Sequence, residues 1–187
     1  MNEVPDIIDY NLRVLFIGFN PGLRSAATGH HFAGYSNKFW KLLAAAGLTS
    51  YRFRPEEDRS LLAAGLGVTN IVARPSRAAD EITSAEYQAG KEILAAKLRL
   101  YSPQIACFAG VGVYKKFAGR TNIKCGWQPV QTVSGVTDFV VPSPSGLTRI
   151  VFAEQLIYYQ ELARLLAGTT PLENDNAHGD RTIVSKI

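Results

Sequence analysis

The chain has 187 residues, 47% hydrophobic and 19% charged, the balance of a compact globular protein rather than a disordered one. No apolar run reaches bilayer-spanning length, and Met1-Asn2-Glu3-Val4-Pro5-Asp6 lacks the positive start and apolar stretch of a secretory signal, so a cytoplasmic protein is expected. Lys and Arg number 20 against 16 Asp and Glu, a mild excess that permits an anionic partner without demanding one. The two cysteines, Cys107 and Cys125, lack the close pairing of a zinc or iron–sulfur site. Both are expected to be buried, reduced thiols, and no metal is expected.

In chain order, Arg13 to Phe19 is a short apolar, β-favouring run ended by Asn20-Pro21-Gly22, which predicts a buried parallel strand opening into a loop. Asn37 predicts an N-cap for a helix over Lys38 to Ala46, stopped by Gly47. Pro55, Glu56, Glu57 and Asp58 start a shorter helix to Ala64, with acids where the dipole favours them. Gly67 to Val72 reads as a second strand, ending near Arg74-Pro75. Thr83-Ser84-Ala85-Glu86 is a capping box for a helix running to about Tyr101, before Pro103.

Ile105 to Ala109 is a third buried strand, followed by Gly110-Val111-Gly112 and a short helix around Tyr114 to Phe117. Val130 to Val133 and Phe139 to Val141 supply further strands, and Ile150 to Leu166 is a closing amphipathic helix. Trp40, Trp127 and the aromatic residues of that last helix fall in apolar periodic segments and read as core. From Thr169 onward the composition is that of a flexible tail, so one domain over 1–168 and a tail over 169–187 are expected. The alternation of strand and helix predicts an α/β fold, three layers α/β/α around a short, mainly parallel sheet. Ligands in such sheets sit at the carboxyl ends of the strands, where the loops after Phe19 and Val141 both fall.

Those loops carry the chemistry. The first reads Gly18-Phe19-Asn20-Pro21-Gly22-Leu23, with Gly29-His30-His31-Phe32 behind it. The second reads Pro142-Ser143-Pro144-Ser145-Gly146-Leu147-Thr148-Arg149. Asn-Pro-Gly or Pro-Ser-Gly alone is ordinary turn composition. Adjacent histidines with no acidic or cysteine partner at ligand spacing do not make a metal site. Gly110-Val111-Gly112 could present amides to a phosphate, with Lys115 or Lys116 adding charge, or could serve tight strand-to-helix packing. Neither a P-loop nor a full Gly-x-Gly-x-x-Gly follows the first strand.

The two loops together, with Asn37-Lys38-Phe39-Trp40-Lys41 and Gly67-Val68-Thr69-Asn70 in order between them, resemble the thymine-DNA and mismatch-specific uracil-DNA glycosylase family of the uracil-DNA glycosylase superfamily. The resemblance covers roughly Arg13 to Leu166. It implies a cofactor-free, monomeric enzyme that flips uracil, or a mismatched pyrimidine, out of double-stranded DNA and hydrolyses its glycosidic bond. Free base and an abasic site would result, as the opening of base excision repair at the nucleoid.

By that resemblance Asn20 orients the attacking water, since an amide does not titrate and cannot be a true general base. Phe32 stacks on the extruded base, and Gly18, Phe19 and His31 line the pocket. Ser25 bears on tolerance of the thymine methyl group. Asn70 reads the base edge, or alternatively serves only the strand end. Gly146, Leu147 and Thr148 form a wedge that fills the vacated stack. Arg24, Arg149, Ser143 and Ser145 address phosphates or support the loop.

The chain mixes two branch patterns. Asn70 and Ser143 match the thymine-excising branch, while Gly146-Leu147 matches the mismatch-uracil branch, so the preferred opposite base stays open. The competing reading is a non-catalytic module that binds mismatched or abasic DNA through the wedge loop.

Overall fold

The computed structural model describes residues 3–168; the tail expected from 169 lies outside the described residues. Its centre is a five-stranded sheet in the order β2-β1-β3-β5-β4. The strands are β1 (Val14–Gly18), β2 (Leu66–Asn70), β3 (Ile105–Ala109), β4 (Gly126–Trp127) and β5 (Thr137–Val141). The first three and β5 run parallel, and β4 adds a short antiparallel edge. The helices are α1 (Leu23–Thr28), α2 (Phe39–Ala45), α3 (Ser84–Tyr101), α4 (Val111–Ala118) and α5 (Phe152–Leu166), with 3-10 helices over Pro55–Ala64 and Ala79–Glu81.

All five residues of β1 are buried because both faces of the sheet are covered. Val14 and Phe16 join α2, α5 and the Pro55–Ala64 segment in one core, while Leu15 and Ile17 join α3 and α4 in the other. The continuous apolar run of β1 is the signature of such a doubly covered strand. Each fully buried Leu, Ile or Phe contributes about 1.5–3 kcal/mol of transfer free energy. The expected three-layer α/β/α architecture is therefore present. No helix among the described residues is long and apolar enough to cross a membrane.

Local signals explain the best-defined elements. Thr83 Oγ1 accepts the Glu86 N–H and Glu86 Oε2 accepts the Thr83 N–H, so the expected capping box starts α3. Asn37 is expected to cap a helix over Lys38 to Ala46, but α2 starts one residue later, with Lys38 at its N-cap and no side-chain cap. Asn37 Oδ1 accepts the Phe39 N–H at 2.9 Å from the turn just before it. Several expectations need correcting. The Pro55–Ala64 helix has 3-10 geometry, α4 begins at Val111 rather than near Tyr114, and α5 begins at Phe152.

Val130 to Val133 forms no strand. The buried carboxylate of Asp138 instead takes the Thr132 N–H and hydroxyl at 2.9 and 3.1 Å, and Tyr114 donates to it at 3.0 Å. A side chain thus satisfies the backbone that a ladder would otherwise need. Trp127 is 52% exposed on the edge strand and is not core, whereas Trp40 is buried. Cys107 is a buried free thiol and Cys125 a half-buried one. Burial pushes both thiols up, Cys125 to about 11, which favours the thiol over the nucleophilic thiolate at neutral pH.

Candidate active site

Parallel register puts Gly18 beside Asn70 and Ala109 beside Val141, so the loops after β1, β2 and β5 leave the same end of the sheet. Between them lies a cavity of about 610 Å³, within the range of sites that hold a small organic ligand. Gly18, Phe19, Asn20, Arg24, Ser25, His31, Phe32 and Asn70 line it from the first half of the chain, and Ser143, Ser145, Leu147 and Thr148 from the second. Residues far apart in sequence thus meet as the sheet topology predicts.

Asn20 is half-buried, and its amide is held at the nitrogen. Nδ2 donates to Ser76 Oγ at 2.8 Å, to the Arg74 carbonyl at 3.0 Å and to the Pro21 carbonyl at 3.2 Å. No hydrogen bond among the described residues engages Oδ1. Asn70 lies across Gly18, where its Oδ1 would be 2.5 Å from any Cβ; its side-chain amide has no partner among the described residues.

Phe32 adopts a positive φ of 51°, a conformation bulky residues rarely take outside functional sites. Its ring stacks on Phe39 at 3.9 Å, and Phe39 meets Phe16 edge-on. The aromatic wall of the cavity therefore rests on the core.

His31 is buried, and its Nε2 meets the Pro5 carbonyl at 3.0 Å while its backbone N–H donates to Asp58 Oδ2. A carbonyl only accepts, so Nε2 carries the proton. Burial holds the imidazole below its usual pKa, and a neutral ring is the form present at pH 7. Ser25 faces the cavity, yet its hydroxyl accepts the Ala33 N–H at 3.1 Å, a bond that shapes the turn leading to Phe32. The Phe19 ring turns away to pack on Gly112 and edge-on to Tyr87.

Among the described residues the cavity wall holds Arg24 and Arg77 but neither Asp, Glu nor Lys. Arg24 donates through Nε to the Ala33 carbonyl at 2.8 Å, and its guanidinium stacks 3.7 Å from the centre of the exposed Tyr35 ring. The mouth is electropositive without a titrating carboxylate.

The second loop is docked on the first half of the chain. Pro144 accepts the Lys38 N–H at 2.8 Å, the buried Gln155 donates to the Ser143 carbonyl at 2.7 Å, and Gly146 rests on Ser36. Ser143 Oγ accepts the Ser145 N–H, Ser145 Oγ the Leu147 N–H, and Thr148 Oγ1 the Ile150 N–H. These hydroxyls order the loop, and each keeps its own proton to donate. Leu147 stands 89% exposed at the tip.

Four expected residues lie outside the cavity wall. Gly146 and Arg149 flank the tip, and Lys115 and Lys116 sit in the last turn of α4. Lys116 covers the Tyr87 ring at 4.8 Å, and Gly112 leaves room for the Phe19 ring, which a Cβ would meet at 3.0 Å. The Gly-x-Gly pair thus includes a packing glycine.

Ser76, Arg77, Ala78 and Ala79 form a further wall that was not anticipated from the sequence. Pro75 restricts Arg74 to extended backbone, and this loop follows β2 at the ligand-bearing end of the sheet, the signals that could have marked it. Arg74 anchors it by a two-pronged pair with Glu86 and a bond to the Glu81 carbonyl. The Arg74 guanidinium, with the Thr83 donors, holds the Glu86 carboxyl down at about 2.

Fold and cavity define a three-layer α/β protein with an open cleft at the strands' carboxyl ends. The chain belongs to the uracil DNA glycosylase superfamily, whose family model matches residues 5–167. The fold is also similar to the solution structure of a Methanosarcina acetivorans protein provisionally described as a uracil DNA glycosylase. Identity is 18% and the TM-score 0.57, over 87% of this chain and 98% of that one.

Proposed function

We propose that this chain is a monofunctional DNA glycosylase that removes uracil, and thymine or other damaged pyrimidines opposite guanine, from double-stranded DNA, by the chemistry of the thymine-DNA and mismatch-uracil branches. The observation that carries the reading is the Asn20 amide, fixed through its nitrogen with Oδ1 left unengaged in a cavity whose described wall holds no carboxylate.

The extruded base enters the cavity with one face on Phe32, replacing the stacking it left behind. Asn70, able both to donate and to accept, meets its edge. Asn20 Oδ1 accepts a hydrogen bond from one water and turns its lone pair toward the sugar C1′. As the C1′–N bond breaks, the electron pair leaves with the base and the carbonyl dipole faces the positive sugar.

The water oxygen then bonds to C1′, its proton passes to solvent or the departing base, and free base and an abasic sugar result. Asn20 takes no proton at any step. The absence of lysine from the described wall supports hydrolysis over a Schiff-base route. Leu147 enters the gap in the stack, while Arg24 and the loop hydroxyls meet phosphate. Both loops come from one chain, which supports action as a monomer.

Asn20→Ala is expected to lower single-turnover uracil release from a U:G duplex by roughly 100-fold or more while duplex affinity holds. Equal release by wild type and Asn20→Ala refutes the assignment. Tight binding to abasic DNA with no release from any duplex assigns the chain as a damage-binding module instead.

A further inference from the structure

Every partner of the Asn20 nitrogen is committed as an acceptor. The Arg74 and Pro21 carbonyls can only accept. The Ser76 hydroxyl spends its single proton on the Ala78 carbonyl at 2.6 Å, so toward Asn20 it too presents a lone pair, at 2.8 Å. Rotating the amide by half a turn would set Oδ1 against three acceptors at 2.8–3.2 Å. An unpaired acceptor facing other acceptors loses its hydrogen bonds and is repelled by them.

Ser76 is itself rigid. It is 4% exposed, and its backbone N–H donates to the Pro21 carbonyl at 3.1 Å in a bridge between Gly22 and Ser76. The loop after β2 is thereby stitched to the loop after β1 at the residue following Asn20.

We infer that Ser76 is a positioning residue for the reaction, a hydroxyl relay from the Ala78 carbonyl to Asn20 Nδ2 that selects the one amide orientation able to direct water. This deepens the glycosylase reading and rests on it for its kinetic consequence. The hydroxyl does not touch the base or the sugar. Its effect is on the fraction of molecules whose Oδ1 faces C1′, and therefore on the rate of bond cleavage rather than on DNA affinity.

The experiment pairs a structural and a kinetic measurement on wild type, Ser76→Ala and Ser76→Thr. Side-chain amide exchange of Asn20 is followed by 15N NMR, and single-turnover uracil release is measured beside the Kd for a duplex carrying a non-hydrolysable deoxyuridine analogue. Ser76→Ala is expected to accelerate Asn20 amide exchange and to cut release about 10-fold or more with Kd within twofold. Ser76→Thr, which keeps the hydroxyl, is expected to restore both.

Uracil release by Ser76→Ala within twofold of wild type overturns the inference, as does a loss of binding that matches the loss of rate. A wild type without release, whose Asn20 amide is still protected and is freed by Ser76→Ala, refutes the glycosylase reading and leaves the relay standing.

Discussion

Gly18 and Asn70 are register partners across β1 and β2, and they stand so close that a Cβ on Gly18 would lie 2.5 Å from Asn70 Oδ1. The glycine is there because the neighbouring amide occupies its side-chain space. Gly18→Ala is therefore expected to push the Asn70 amide out of the cavity floor. On the proposed reading, uracil release falls about tenfold, near the effect of Asn70→Ala, and the double substitution is no worse than either alone. Additive losses in that cycle would show that Gly18 acts independently of Asn70.

The wedge loop separates stability from binding. Leu147 is 89% exposed, so Leu147→Ala should leave Tm unchanged, within about 0.5 kcal/mol of stability. Duplex uracil release should nevertheless drop, while release from single strands, which need no wedge, is kept. A parallel fall on both substrates counts against the wedge.

Gly146 sets the seat of that loop, because an added Cβ would meet Ser36 Oγ at 2.1 Å and Ser36 Cβ at 2.3 Å. Gly146→Ala is expected to lift the tip and cut duplex activity several-fold. Pairing it with Ser36→Gly, which removes both obstructing atoms, should recover much of the loss. Absence of any recovery would place the defect in the backbone of the loop rather than in this contact.

His31 links acidity to stability. Burial lowers its pKa below the ordinary 6.5, so below that pH the unfolded chain takes up a proton that the native imidazole resists. Stability is then complete above the unfolded value and declines as pH falls from about 6.5 toward the depressed native one. Urea midpoints at pH 7.5 and 5.5 should differ in wild type, and the difference should narrow in His31→Gln. An unchanged difference would assign the acid sensitivity elsewhere.

Legibility in the sequence followed the range of the interaction. The capping box of Thr83 and Glu86, the apolar run of β1 and the carboxyl-end placement of both loops are written in contiguous residues, and the structure has them all. The Val130 to Val133 run looked like a strand because apolar composition is blind to a partner. The fully buried Asp138 supplies that partner from the next strand. Trp127 looked like core for the same reason, since its exposure follows from β4 lying at the sheet edge.

The alternation of strands and helices, the doubly covered sheet and the residue types at its carboxyl ends follow from hydrophobic period, caps and turn chemistry, which act within a few residues. Which way the Asn20 amide faces has no such local origin. That orientation is set by acceptors 54 and 56 residues away in sequence, at Arg74 and Ser76. The seat of Gly146 on Ser36 and the position of Lys115 and Lys116 outside the cavity wall are likewise long-range outcomes. Such contacts depend on where separate segments converge once the sheet has formed, and no local pattern encodes that convergence.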